Sequence, residues 1–362
     1  MKIVIRAGGH GTRLWPLSRR HKPKQFQTIF GNRVLLRMAF ERVYSLLASC
    51  DDVYVSCNEE YVEALAELLP EVPSKNYILE PEARNTGAAI ALETAYLRSQ
   101  GVDEKTVIMT IPSDDYIGDE GAFRMLMQDI EQFLKDHDEY VVAPSTLPVV
   151  PSDGYTYVST GTLVDETPGH SVTLIADWVE KPDQARSREL IATGRYFAHI
   201  GMYGWTLGTA ARLWEQYKPE IWAAAQQAVE AMGKSDSAAV HQAYAQIPSE
   251  TIETMLMQHV SELTTVVDTS MQWSDVGKWQ TIKHLMEKNE EGNVHRGNIV
   301  SHESAGNLVF APEGKMVAIL GMDDTIVVDT EDVLLICPAE KSGELKALIK
   351  KISDHEDGPR HL

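Results

Sequence analysis

Short runs of β-branched and other apolar residues alternate with longer stretches of helical spacing through the first 150 or so residues. That rhythm predicts βαβ units and an α/β fold built on a mixed, mainly parallel sheet. Ile3 to Ile5 reads as a first strand, followed at once by a polar, glycine-rich turn. Leu35 to Leu47 carries apolar residues at helical spacing, Val53 to Cys57 is a second strand and Glu59 to Leu69 a second helix. Tyr77-Ile78-Leu79 is strand-like, Asn85 to Ser99 is an alanine-rich helix, and Val107 to Ile111 is a strand that ends in Pro112-Ser113-Asp114-Asp115. Ligands of open α/β sheets bind beyond the carboxyl ends of the strands, where both the glycine turn and Ser113-Asp114-Asp115 stand.

Beyond about residue 150 the pattern turns mixed, with strands near Tyr155 to Val158 and Val172 to Val179 and helices near Asp183 to Thr193 and Ala210 to Met232. The polar stretch Asn289-Glu290-Glu291-Gly292-Asn293 marks a second change. Apolar runs then begin near Ile299, Leu308, Val317, Ile326 and Val333, at spacings of 9, 9, 9 and 7 residues, with turn residues between them. A small all-β unit follows from that pattern. A last helix, Gly343 to Ile352, leads into a polar segment. The expected division is residues 1–290, residues 291–353 and a mobile tail over 354–362.

Composition narrows the function. The chain of 362 residues carries 33 basic and 53 acidic side chains, a formal net charge of −20, which argues against nucleic acid or an anionic membrane surface as partner. No apolar stretch approaches the roughly 20 residues that span a bilayer. Cys50, Cys57 and Cys337 form no C-x-x-C pair, and so sparse a set suits a reducing cytoplasm, with each thiol buried and inert.

Against that acidic background, Gly8-Gly9-His10-Gly11-Thr12-Arg13 follows a strand directly. Closely spaced glycines let the backbone approach an anion and point N–H groups at it. Leu14 stands where a dinucleotide fingerprint has its third glycine, and the G-K-[ST] ending of a Walker loop is missing. Arg13, Arg19, Arg20, Lys22 and Lys24 surround the loop with cations suited to phosphate. On these residues alone, a tight turn followed by a solvated basic loop is the competing reading.

The longer run Gly8 to Arg19, with Pro23-Lys24-Gln25-Phe26, resembles the signature of the sugar-1-phosphate nucleotidyltransferases, and within them most closely the mannose-1-phosphate guanylyltransferases. Further similar segments extend over nearly the whole chain: Glu80-Pro81 with Arg84-Asn85-Thr86, Pro112-Ser113-Asp114, Gly154-Tyr155, Val179-Glu180-Lys181-Pro182, Gly201-Met202 and Trp273-Ser274-Asp275-Val276-Gly277. The resemblance implies a Rossmann-like catalytic domain followed by a short C-terminal left-handed β-helix-like segment that supports a homodimer.

It also implies a reaction, attack of a sugar 1-phosphate oxygen on the α-phosphorus of a nucleoside triphosphate, here GTP and mannose 1-phosphate, with Mg²⁺ as cofactor. A phosphate monoester is already largely ionised at neutral pH, so no general base is needed. Bringing two anions together calls instead for positioning and cations. By this likeness Arg13 and Lys24 are catalytic. Gly8, Gly9, Gly11, Thr12, Arg13, Glu80, Asn85, Thr86 and Ser113 hold the nucleotide. Gly154, Tyr155, Glu180, Lys181, His199 and Gly201 hold the sugar phosphate, and Asp114 and Asp275 the metal. The bland alternatives are turn or helix-capping roles for Asp114, Asp275, Asn85 and Thr86, and a surface ion pair for Glu180 and Lys181.

Several residues depart from the family pattern. Asp115 replaces a histidine; it either strengthens metal binding or faces solvent, and the second is expected. Arg6 replaces an apolar residue and either adds a cation beside the triphosphate or bends outwards. Gly87-Ala88-Ala89 replaces Ala-Pro-Ala, Thr156 a glycine, His199-Ile200-Gly201 the usual Asn-Ser-Gly, and Glu253 an aspartate. Altered hydrogen-bonding groups at a sugar site admit a different sugar, such as a heptose, unless His199 keeps the same contact through a ring nitrogen. A catalytically silent nucleotide-sugar-binding subunit is the third alternative, opposed by the presence of Arg13, Lys24, Asp114 and Asp275 together.

Overall fold

A computed structural model describes residues 1–9, 11–148 and 151–362. Its contacts separate the chain into two compact units: residues 1–8 with 39–274, and residues 9–38 with 275–362.

The first unit is organised by a mixed sheet. Strands β1 (Lys2–Arg6), β2 (Val53–Asn58), β3 (Tyr77–Glu80) and β4 (Val107–Pro112) are parallel, in the order β3-β2-β1-β4. Ile3, Val4 and Ile5 are fully buried, which is why this central strand reads as an unbroken apolar run rather than an alternation. Beyond β4 the sheet continues antiparallel through Tyr203–Thr206, then by way of Val141–Val142 and Leu263–Val266 to the long hairpin Thr156–Glu166 and Ser171–Glu180. The mixed α/β architecture expected from the sequence is therefore present.

Helix Asn85–Ser99 is buried along most of its length, and its alanines let Leu207–Tyr217 and Pro219–Gly233 pack closely against it. Those last two were expected as one helix. Proline lacks an N–H and suits the first turn of a helix, so the chain breaks at Lys218 and restarts at Pro219. Glu120–Asp136 is a long helix in a stretch to which the sequence pattern assigned nothing. Asp119 caps it through Ala122 N at 2.9 Å, and Phe123, Met127, Ile130 and Leu134 bury one face.

The second unit joins the signature segment to the C-terminal β unit. Val294–Arg296, Leu308–Phe310 and Thr325–Asp329 stack in parallel, and Asn298–His302 pairs in parallel with Met316–Leu320, an arrangement of successive coils. Alternate residues Ile299, Val317 and Ile319 face the interior with Val309 and Val327, while Val300, Met316 and Leu320 are exposed. Asparagines hold successive coils together. Asn293 Oδ1 accepts from the backbone and the side chain of Asn307, at 2.8 and 3.0 Å, and Asn307 Oδ1 accepts from Thr325 N at 2.9 Å. Trp279 Nε1 donates to the Trp15 carbonyl at 3.0 Å, and its ring meets Phe310 edge-on. Residues 354–362, expected to form a mobile tail, include the helical turn Gly358–His361, whose His361 carbonyl accepts from Trp15 Nε1 at 2.8 Å.

Cys57 is buried and Cys50 and Cys337 are half-buried, all unbridged. Burial pushes the Cys57 thiol up to about 12, in keeping with an inert role. Among the described residues no helix is long and apolar enough to cross a membrane.

Candidate active site

Each unit carries its own share of the candidate residues. In the second unit, Gly9 and Gly11 adopt φ of 89° and 56°, the left-handed region that glycine favours. Gly11 also has no room for a side chain. A Cβ there would lie 2.5 Å from Lys24 Cβ and 3.0 Å from Lys24 N. The helical turn Thr12–Leu14 follows and leaves Arg13 exposed; the Thr12 side chain lies outside the described residues. Gln25 Nε2 donates to the Gly9 carbonyl at 3.2 Å, fastening the loop to the turn Lys24–Phe26.

Lys24 is only 4% exposed, and its Nζ lies 3.2 Å from Asp275 Oδ1. A buried ammonium needs such a partner, because desolvating it alone is costly. Asp275 ends the strand Trp273–Asp275 with its carboxylate partly open. A Cβ at Gly277 would come within 2.7 Å of Asp275 Oδ2, so the glycine keeps one side of the carboxylate clear.

In the first unit, Arg6 ends β1 and its carbonyl accepts from Ser113 N at 3.1 Å, bringing the start of the glycine loop beside buried Ser113. Asp114 is half-buried. The neighbouring Asp115 does not face solvent as expected. Its Oδ2 accepts from Trp273 Nε1 at 2.9 Å, because a buried indole N–H requires an acceptor.

Glu80, at the end of β3, is nearly fully buried and accepts from Tyr244 OH at 2.6 Å. Burial pushes its carboxyl up to about 7, with Tyr244 and the Arg6 guanidinium opposing the shift. A Cβ at Gly8 would stand 3.5 Å from Glu80 Oε1. Asn85 begins its helix at φ 65°, and its Oδ1 accepts from Thr86 N, while Thr86 Oγ1 accepts from Ile252 N at 2.9 Å. Thr86 thus anchors the helix start to the segment 250–255. Gly87 is required by the same approach, since a Cβ there would lie 2.9 Å from the Glu250 carbonyl and 2.8 Å from Met255 Sδ.

The residues assigned to the sugar phosphate also fall in the first unit. Gly154 precedes Tyr155, whose ring sits 5.1 Å from that of Trp273. Tyr155 O accepts from Lys181 N. Glu180 does more than pair with Lys181 at 3.3 Å, because its two oxygens accept from Thr251 and Thr254 at 3.2 and 3.1 Å. His199 is buried, wedged between the rings of Trp178 and Tyr203, with Nδ1 3.0 Å from the Pro144 carbonyl. Burial lowers its imidazole to about 4, leaving it neutral at physiological pH. Its Nε2 has no hydrogen-bond partner and lies 4.0 Å from Glu253 Oε1, which accepts from Tyr203 OH.

Arg6 does not bend outwards. Its two terminal nitrogens donate to Thr110 Oγ1 and to the Gly201 carbonyl, and Thr110 Oγ1 donates in turn to Glu93 Oε2 at 2.9 Å. Burial pushes Glu93 up to about 7, opposed by Arg6 and Thr110. Glu93 was missed in the sequence. Its one available signal was a lone carboxylate inside an alanine-rich helix.

Among the described residues no three His, Cys, Asp or Glu side chains gather as a metal cluster. Mg²⁺ does not need one, since it takes one or two carboxylates and completes its shell with phosphate oxygens and water. The open side of Asp275, cleared by Gly277, fits such a ligand.

The nucleotidyl transferase family model matches residues 2–292, most of the chain. The chain belongs to that family. A second model, the MannoseP isomerase/GMP-like beta-helix domain, matches residues 297–352, the region of stacked coils. Relatives in the family include a mannose-1-phosphate guanylyltransferase of Klebsiella pneumoniae, 31% identical over 357 residues that make up 98% of this chain and 74% of the relative. Another, from Salmonella montevideo, is 32% identical over 96% of this chain and 73% of its own. Among solved structures, one described as a mannose-1-phosphate geranyltransferase from Thermus thermophilus superposes with a TM-score of 0.82 and 26% identity, over 97% of this chain and 99% of that one. As a family member the chain is an enzyme of nucleotidyl transfer.

Proposed function

We propose that the chain transfers a guanylyl group from GTP to mannose 1-phosphate, giving GDP-mannose and pyrophosphate. A phosphate oxygen of the sugar attacks the α-phosphorus in line, the bond from that phosphorus to the bridging oxygen breaks, and pyrophosphate departs with the electron pair. The observation that carries this reading is Lys24, a buried ammonium held at 3.2 Å by Asp275 against the backbone of the glycine loop. Arg13 adds a second cation, and Gly8, Gly9 and Gly11 supply close backbone approach to the triphosphate. Glu80, Asn85, Thr86 and Ser113 line the nucleotide side; Gly154, Tyr155, Glu180, Lys181, His199 and Gly201 line the sugar-phosphate side. Asp114 and Asp275 are the residues to hold Mg²⁺, which when bound would offset phosphate charge. The relatives named for this same activity support the choice of substrates.

The reading assigns catalysis to residues 1–290 and a β-helix-like support to 291–353. Exposed Val300, Met316, Leu320, Leu334 and Ile336 on that β unit support a homodimer through it, and unbridged cysteines support a cytoplasmic setting. His199 and Glu253, which stand where the family has asparagine and the shorter aspartate, favour a second reading with another sugar 1-phosphate, such as a heptose. Pyrophosphate release measured over a panel of nucleoside triphosphates and sugar 1-phosphates decides between them. Turnover confined to GTP with mannose 1-phosphate supports the first reading, and its absence with that pair rejects it.

A further inference from the structure

Arg6 sits at the last position of β1, one residue before Ala7-Gly8, and its side chain links segments that are far apart in sequence. One terminal nitrogen reaches Thr110 on β4, three residues before Ser113, and the other reaches the carbonyl of Gly201. Gly201 has φ of 68° and no side chain of its own to fix it. The preceding residues are held from elsewhere, Ile200 N donating to the Pro144 carbonyl at 3.2 Å and His199 Nδ1 lying 3.0 Å from the same oxygen. Two acceptors at different angles suit the planar fork of a guanidinium and not the point charge of an ammonium.

We propose that Arg6 is a positioning residue for the sugar-phosphate site, fixing the turn at Gly201 relative to Ala7-Gly8 and to the end of β4. The inference rests on the assignment of His199 to Gly201 to that site. A competing role exists: Arg6 is also linked to Glu93 through Thr110, so it could serve only to make a buried carboxylate tolerable. The two roles separate in mutants, because replacing both members of a buried charge cluster by apolar groups often restores stability, while it cannot restore a bond to the Gly201 carbonyl.

The test compares Arg6→Lys, Arg6→Leu and the double variant Arg6→Leu/Glu93→Leu with the wild type, reading melting midpoint, kcat, and KM for each substrate. The double variant is expected to recover the wild-type midpoint yet keep a KM for mannose 1-phosphate raised about 10- to 100-fold, with the KM for GTP unchanged. Arg6→Lys, which keeps the charge and loses the fork, is expected to fold normally and show a smaller rise in the same KM. Recovery of both stability and KM in the double variant overturns the proposal, as does a rise confined to GTP. If the wild type turns over a different sugar 1-phosphate, the substrate assignment fails while Arg6 is judged by the same comparison on the accepted sugar.

Discussion

Arg19 grips Asp332 with both terminal nitrogens, at 2.6 and 2.7 Å, so a residue of the glycine-rich signature is tied to a turn of the β unit 313 positions later. Arg19 Nε also donates to the Pro16 carbonyl at 3.0 Å, and His361 Nδ1 lies 2.8 Å from the same carboxylate. The segment that carries Lys24 is thereby braced by residues with no place in the chemistry.

Asp332→Asn keeps the size of the side chain and removes the charge that Arg19 grips. Because the carboxylate is partly exposed, the expected loss of stability is only about 0.5–1 kcal/mol, read as a lower denaturation midpoint. Arg19 and His361 hold the Asp332 carboxyl well below the usual carboxylate range. A depressed folded value means that this stabilisation is complete above the unfolded value, near pH 4, and fades only in stronger acid. The difference between wild type and Asp332→Asn should therefore shrink below about pH 4, and a difference that persists undiminished in stronger acid would contradict the pairing.

Lys24→Met should lower kcat by about 100- to 1,000-fold, as expected for removal of a preorganised charge at a phosphate site. Pyrophosphate release at saturating substrates measures it. Asp275→Asn provides a companion: it keeps a polar partner for Lys24, so the fold should survive by circular dichroism while dependence on added Mg²⁺ weakens. Retention of full turnover by Lys24→Met would transfer the role to another cation.

Glu80 and Glu93 both stand near 7, against an ordinary value of 4.5. Between those values the unfolded chain has released protons that the folded chain keeps, so stability falls as pH rises and levels off above 7. Glu93→Gln should flatten part of that slope in denaturant titrations run from about pH 5 to 8. An unchanged slope would show that Glu93 titrates normally.

Gly11→Ala introduces a Cβ at 2.5 Å from Lys24 Cβ on a backbone already at positive φ. A cost of about 1–3 kcal/mol in stability is expected, together with loss of turnover from displacement of Lys24. The thermal midpoint and pyrophosphate assay report the two effects separately.

What could be read in advance follows from how local the cause is. Helix Asn85–Ser99 was visible to the residue, because its alanine-rich run is bounded by turn-forming neighbours, and the strands of the β unit were visible in their even spacing. The break at Lys218 was available in Pro219 but is masked by apolar periodicity on both sides. Partners remote in sequence were not legible. Nothing near Asp115 points to Trp273, and nothing near Arg6 points to Gly201, because those bonds come from the crossing of strands rather than from spacing. The same limit explains Lys24 and Asp275, where family likeness named the residues and only the fold shows them 3.2 Å apart.

The asparagine ladder has a consequence for how this chain could change in length. Leu308–Phe310 aligns with Thr325–Asp329, and Asn298–His302 with Met316–Leu320, each at an offset of 18 residues, so these coils match in length, whereas Val294–Arg296 meets Leu308–Phe310 at an offset of 14. Within the stack, a coil pairs with the ones above and below it. Gain or loss of one whole coil would lengthen or shorten the stack while leaving every remaining side chain facing the way it does now. Insertion of a single residue within a coil would turn Ile299, Val317 or Ile319 outward and rupture the ladder. Length variation in this region is thus quantised, as it is in a spiral staircase that can grow only by complete turns.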